Sequence, residues 1–509
     1  MRKNKKGVEP VVQPKGSDRD SLGKGAGSKM IGRLITPSIV ISVVFISFCY
    51  LMLPGRNSYM LRWYDYMSLF ESTRFFFKQM LCFPGGLMRY FGAWLTQLMY
   101  YPWLGSTVLI AIWLLTARLT AKAFRLSREA FPLAFVVPMA MLVSIVQIDE
   151  AWLSMKSVGY LYSNSLSFLF VVADVCLYRA VEKIRPLAFV IVLLTAVLYI
   201  FAGFYALLAS FIGCIFLIAD SVRNRCYPAL VYPAVALSVI FVLPELYYRY
   251  YGPTTVDNEY LLIKGLPDFI FESFDVYLWM PFAVAIGFML ILAVAVAFLR
   301  IPSSRPVLWV STSVLIICGI WSLVADRKNE QLRATVVMLH HLENNNWEGI
   351  TMVMSRIKEP PNYTMRVLNN FAVVNLGGKA ASLNDIEPIN ADPRHNEGFL
   401  LTALLHIPIN YYNGDFNVSY RWAMEHCVQY GKRVFLLKYL VKNSLLNGDI
   451  KLAKRYNDIL LGTLFYKKWA EEMNRYIEDP SLIESNIEFR SILELNQPET
   501  PAEASSHAG

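Results

Sequence analysis

Charge is what this sequence has least of. Only 17% of its 509 residues are Asp, Glu, Lys or Arg, against 55% hydrophobic, and the mean hydropathy is +0.38. A water-soluble chain of this size needs more charge to cover its surface, so an ordinary soluble globule is excluded. Metal or redox spacing is lacking as well: the seven cysteines include no CxxC. Cys49, Cys176, Cys214, Cys226 and Cys318 lie in or beside apolar runs, where they act as small hydrophobes. Cys82 and Cys427 would share one side of a membrane, and their spacing does not fix whether they pair. There is no nucleotide-binding glycine loop, nucleophile elbow or HExxH motif. All six histidines (His340, His341, His395, His406, His426 and His507) come late in the chain. His340-His341 with Glu343 looks like half a metal site, but neighbouring helix positions point about 100° apart. We therefore expect no metal and no cofactor.

What charge there is lies unevenly. Residues 1–324 hold 28 Lys+Arg and 17 Asp+Glu, a net +11, whereas 325–509 hold 20 and 22, a net −2. The basic balance belongs to the apolar half, where cations report topology, and no soluble basic face remains for nucleic acid. A hydrocarbon core of about 30 Å asks for about 20 apolar residues per helix. Nine candidates meet it: 34–53, 100–119, 131–147, 160–178, 186–201, 204–219, 228–245, 277–299 and 306–324. The fifth and sixth require a very tight turn at Phe201-Ala202-Gly203-Phe204.

With the N-terminus inside, twenty basic residues fall on the inner segments and eight on the longer outer ones. Nine spans then put the C-terminal region outside, in the periplasm of a bacterial inner membrane. The expected organisation is a basic, disordered tail (1–30), a membrane domain (31–324) with long outer loops at 54–99 and 246–276, a soluble domain (325–495) and a disordered tail (496–509). The fold class is all-α: a polytopic helical membrane bundle of about nine spans, followed by a soluble helical-repeat, tetratricopeptide-like domain. Its first partner is the lipid bilayer.

The repeat is visible directly. Asn413-Gly414-Asp415 recurs as Asn447-Gly448-Asp449, 34 residues on, and two periods back lies Asn345-Asn346-Trp347. Each follows an apolar helical stretch. In each Gly-Asp pair Gly allows the sharp turn, and Asp is expected to cap the next helix. A 34-residue helix-turn-helix period resembles the tetratricopeptide repeat, although its full residue pattern is incomplete here. Such arrays mostly bind proteins or peptides along a concave face.

The first outer loop is rich in aromatics. Its Tyr59–Met80 part can form one amphipathic helix in the interface, with Trp63, Tyr64 and Tyr66 at headgroup level. The third large outer loop adds Tyr247, Tyr248, Tyr250 and Tyr251. Within the spans Asp174 is the one clear acid, close enough to Arg179 and Lys183 for pairing or snorkelling.

Two resemblances follow. A long first outer loop with Asp65 and Glu71, a second acidic pair (Asp149-Glu150) after the third span, and an outer C-terminal domain look like the GT-C class of membrane glycosyltransferases. That resemblance implies a polyprenyl-phosphate-linked sugar donor. It also implies a general base or metal-holding carboxylate at Asp65 or Glu71 and at Asp149 or Glu150, with Arg62, Arg74 or Arg89 on the lipid phosphate. It is a likeness of architecture, and the plainer reading is solvated interface charge. The stretch from Pro84-Gly85-Gly86 to Pro102-Trp103-Leu104-Gly105, together with the repeat, more closely resembles uncharacterised multi-pass membrane proteins of Bacteroidota, which implies no activity. Two functions stay open: an envelope protein presenting its outer repeat domain to a protein or peptide partner, and a GT-C-like transferase.

Overall fold

The computed structural model describes residues 37–148, 153, 159–251, 261–267, 276–299, 304–328, 330–358, 360–379 and 399–496. Among them the fold is all-helical, without strands. Seven helices are long and apolar enough to cross a membrane: Ser38–Arg56, Pro102–Ala123, Tyr160–Val181, Phe204–Arg223, Tyr227–Tyr250, Val276–Leu299 and Arg305–Lys328. Two shorter apolar helices, Phe131–Val146 and Arg185–Val197, occupy the third and fifth expected positions.

Side-chain hydrogen bonds fix the chain direction in the first half. Tyr162 donates to the Gly105 carbonyl at 2.7 Å, Trp113 Nε1 to Ser165 Oγ at 2.9 Å, and Arg179 Nε to the Ala123 carbonyl at 3.0 Å. The helices 102–123 and 160–181 therefore run parallel. The chain between them has to return through the bundle, and every residue of Val136–Val146 is buried. This explains a sequence that is apolar all round rather than on one face.

The next pair is an antiparallel hairpin. Arg185 meets Asp220 at 2.7 Å at one end, and Gly213 lies against Val192 midway. A single turn, Tyr199–Ala202, extends the first helix to Gly203 at the other end. Gly203 sits at φ +60, and a Cβ there would lie 2.6 Å from the Lys264 carbonyl, which instead accepts from Phe204 N–H at 2.8 Å. The tight turn expected at Phe201–Phe204 is thus made, and only glycine fits it. Asp174 accepts from Thr195 at 2.6 Å, while Arg179 pairs with Glu182 at 2.8 Å. The pairing of Asp174 with Arg179 is not formed.

Beyond Lys328 comes an array of helices: Glu330–Glu343, Trp347–Arg356, Tyr363–Asn375, Phe399–Tyr412, Phe416–Tyr430, Val434–Leu446, Ile450–Leu461, Lys467–Glu478 and Ile487–Leu495. Through Lys467–Glu478, each packs on the next. Four helix ends share one device. A residue in the left-handed region (Asn345 at +52, Gly377 at +80, Gly414 at +89, Gly448 at +76) is followed by an N–H that donates five residues back. Those donors are Asn346 to His341, Gly378 to Val373, Asp415 to Asn410 and Asp449 to Ser444, at 2.8–2.9 Å. This is the Schellman C-cap, satisfying carbonyls that a helix end leaves orphaned. It recurs 32, 37 and 34 residues apart. The expected side-chain caps of Asp415 and Asp449 do not form: neither carboxylate accepts from its helix, whereas Asn346 accepts from Gly349 N–H at 2.9 Å.

Among the contacts that fasten the array to the bundle, two clusters stand out. At the first, Asp326, 1% exposed, ion-pairs with Arg56 at 2.8 Å and with Arg333, and accepts from Asn57 at 2.9 Å. This joins the ends of the first and last long helices to the start of the array. At the second, Lys432 pairs with Glu71 at 2.6 Å, Arg433 donates to the Leu153 carbonyl at 2.6 Å, and Phe435 packs edge-on against Trp63 and Tyr66. The loop between the first two long helices is consequently not one interfacial helix over Tyr59–Met80. It forms Ser58–Tyr66, a break, and Arg74–Leu81. Trp63, Tyr64 and Tyr66 are buried against protein, because the array covers them. Likewise Tyr247, Tyr248 and Tyr250 belong to the helix Val231–Tyr251 rather than to a loop. Cys82 and Cys427 are both free.

Candidate functional site

Where the array meets the bundle it leaves a cleft of about 750 Å³. Its walls come from four distant stretches: the Ser58–Tyr66 helix, Tyr100-Tyr101, the Glu330–Glu343 helix with Lys438 behind it, and residues 464–472. Aromatic rings cover much of it, and a smaller compartment of about 240 Å³, lined by Tyr412, Tyr439, Lys442 and Glu488, continues it past Tyr66 and Lys438.

The cleft's charges are placed by these rings. The Lys438 ammonium lies 5.0 Å from the centroid of Tyr66, 5.0 Å from Trp469 and 5.6 Å from Tyr466. Such contacts stabilise a cation by about 0.5–2 kcal/mol each, yet burial still outweighs them and lowers Lys438 to about 8. Tyr66 donates to Glu343 at 2.8 Å. Burial raises Glu343, against the pull of nearby Lys438 and of that hydroxyl. Burial and the neighbouring Arg62 lower His340. Deeper in, burial pushes Glu488 up, but Lys442 at 2.7 Å and the Tyr411 hydroxyl at 2.8 Å overcome it and leave the carboxyl low.

The candidate residues from the sequence separate in space. Arg62 lines the cleft, its guanidinium 5.1 Å from the Tyr100 centroid. Asp65 lies just behind the wall, 2% exposed, accepting from Tyr466 at 2.6 Å. Burial pushes its carboxyl up to about 8, against the Tyr466 bond and Arg62. Glu71 is engaged by Lys432. Arg89 donates to the Leu266 carbonyl at 3.3 Å, and neither it nor Arg74 lines the cleft. Asp149 and Glu150 lie outside the described residues, as do His395 and His507. Among the described residues no group of three or more His, Cys, Asp or Glu is placed to hold a metal.

Lys438, Tyr466 and Trp469 carry much of the site's character, and sequence reasoning passed over them. Residues 62 and 438 lie far apart in sequence and meet only through the docking of the array. The one available signal was the density of aromatics in both segments.

Fold and cleft together define a polytopic helical membrane protein whose C-terminal helical array is docked onto the loop after its first long helix. The chain belongs to a family of unknown function (DUF6057), which it matches over residues 32–502. No curated protein and no solved structure matches it.

Proposed function

We propose that this protein recognises a ligand at the outer surface of a bacterial inner membrane, in the cleft its membrane loop and its C-terminal array build together. The observation that carries this reading is the composite cleft itself: neither half encloses it alone. Ligand sites favour such concave junctions. In this reading the chain crosses the membrane nine times, the two short apolar helices included. The parallel run of 102–123 and 160–181 favours that count. The N-terminus is inside and the array is a separate outer domain, because Arg118, Lys122, Arg125, Arg179, Arg185 and Arg223 gather at the end of the bundle away from the cleft.

A second reading is a tetratricopeptide-like scaffold for a protein or peptide partner. The recurring C-caps favour it, with Val418 and Val428 exposed on the array. The glycosyltransferase alternative needs a carboxylate in the cleft. Asp65 is sealed behind Tyr466, so half-buried Glu343 would be the better-placed acid in that case.

Photo-crosslinking separates the first two. A benzophenone amino acid at Leu464, exposed on the cleft rim, is expected to capture a small ligand or lipid in intact membranes. The same residue at Val428 is expected to capture no protein. A specific protein adduct at 428 with nothing at 464 would replace this reading with the scaffold.

A further inference from the structure

The cleft holds donors that the protein leaves unanswered. Among the described residues, Arg62 has no carboxylate or carbonyl acceptor; its guanidinium rests against Tyr100, which leaves its N–H groups available. Lys438 sits in its aromatic box with no carboxylate within ion-pair distance, since Glu343 is bonded to Tyr66 instead. Trp63, another cleft residue, is 4% exposed, and its indole N–H has no partner. A buried donor without an acceptor costs about 1–3 kcal/mol, so such a group is expected to be answered when the site is filled.

We infer that Arg62 and Lys438 form the binding site for the phosphate group of a phosphate ester. This rests on the composite-cleft reading above. Arg presents a planar fork that matches phosphate oxygens, and Lys adds a point charge. The acids on the cleft wall do not cancel these cations. Arg62, Lys438, Lys467 and Lys468 line the cleft against Glu343, Glu471 and Glu472, and Glu471 lies 3.7 Å from Lys467. A bare phosphate would leave most of about 750 Å³ empty, so the ligand carries a body that the surrounding rings contact. Tyr59 and Tyr101 line the cleft and are half exposed, and Tyr101 directly precedes the second long helix, which carries exposed Trp103 in its first turn. That is where an aromatic belt meets the headgroups. The phosphate ester could thus arrive on a lipid or from solution, by the same chemistry.

The test uses the full chain in phosphatidylcholine nanodiscs. Soluble probes, inorganic phosphate and a hexose 1-phosphate, are titrated by calorimetry. A polyprenyl phosphate is co-incorporated and its retention read by native mass spectrometry. Wild type is expected to bind at least one phosphate ester more tightly than inorganic phosphate. Arg62→Ala and Lys438→Met are each expected to weaken it roughly tenfold or more, with Arg62→Lys in between. Arg74→Ala, outside the cleft, is expected to change nothing. Retention of the lipid alone assigns a membrane source, and binding of the hexose phosphate alone a soluble one; both support the inference. Failure of every phosphate probe, or an Arg74→Ala loss equal to that of Arg62→Ala, overturns it. Arg62 is exposed, so its variants fold even if Lys438→Met does not. A small-molecule adduct at position 464 that persists unchanged in Arg62→Ala would overturn the phosphate assignment while leaving the composite cleft standing. No adduct at 464 would overturn both.

Discussion

Replacing Asp326 by Ala should loosen the whole docking of the array. The carboxylate is 1% exposed and answers three groups at once: Arg56, Asn57 and Arg333. Its loss leaves two guanidinium groups facing each other with no counter-charge. Removing one partner of a buried pair costs about 3–5 kcal/mol, mainly through the charge left behind. Arg333 is only 14% exposed and carries most of that penalty, whereas Arg56 at 46% is partly screened by solvent. The lower end, about 3 kcal/mol, is therefore expected. For a unit of roughly 150–250 residues each kcal/mol shifts the melting temperature by about 2–4 °C, so a fall of about 6 °C or more should appear. Scanning fluorimetry of the full chain in detergent reads it. Because the penalty belongs to stranded cations, the triple variant with Arg56→Ala and Arg333→Ala should melt above Asp326→Ala alone. A melting temperature within 1 °C of wild type, or a triple variant less stable than the single one, would refute this reasoning.

The remaining expectations are narrower. Asp65 has its folded value raised to about 8 from 3.8, so its contribution is fully present below about pH 4 and is lost as pH rises through 8. Asp65→Asn should flatten that stretch of the stability profile in pH-dependent melting; a slope unchanged from wild type would contradict the burial argument. The Lys438 ammonium is half deprotonated at about pH 8, so phosphate-ester affinity should fall as pH rises through 8, and Lys438→Arg should extend binding to higher pH. Gly203→Ala should cost several kcal/mol, since its Cβ would meet backbone at 2.6 Å in a left-handed region; expression and melting would both drop. Asn345→Gly should do the opposite. It relieves a non-glycine residue at φ +52 and should stabilise by about 0.5–1 kcal/mol in denaturant titration.

The membrane helices could be read from sequence because each one's apolar length is a local property. All nine expected positions carry a helix, seven of them long enough to cross. The tight turn at Phe201–Phe204 is legible too, since Gly203 is the one residue there able to turn so sharply. The helix ends at Tyr412 and Leu446 are readable for the same reason, through Gly414 and Gly448. Tertiary cover escaped local reading. Trp63 and Tyr66 have the composition of a headgroup belt, and only their distant partner Phe435 makes them interior. The cleft escapes it too: the resemblance to GT-C enzymes points to Arg62, but Lys438 lies on a helix whose apolar neighbours give no hint of a binding role. Charged groups in particular kept unexpected company, with Asp174 bonded to Thr195 and Asp65 to Tyr466.

The clasp at Asp326 also has a consequence for how the protein is made. Arg56 and Asn57 emerge from the ribosome early, yet the carboxylate that accepts from both lies 270 and 269 residues further on. Until the last long helix has been translated, the first holds an unsatisfied cation at its end and the loop after it lacks its cover. A chain cut short before Asp326 would keep its early helices but display that open end. Completion of synthesis is thus written into the fold as a charge match.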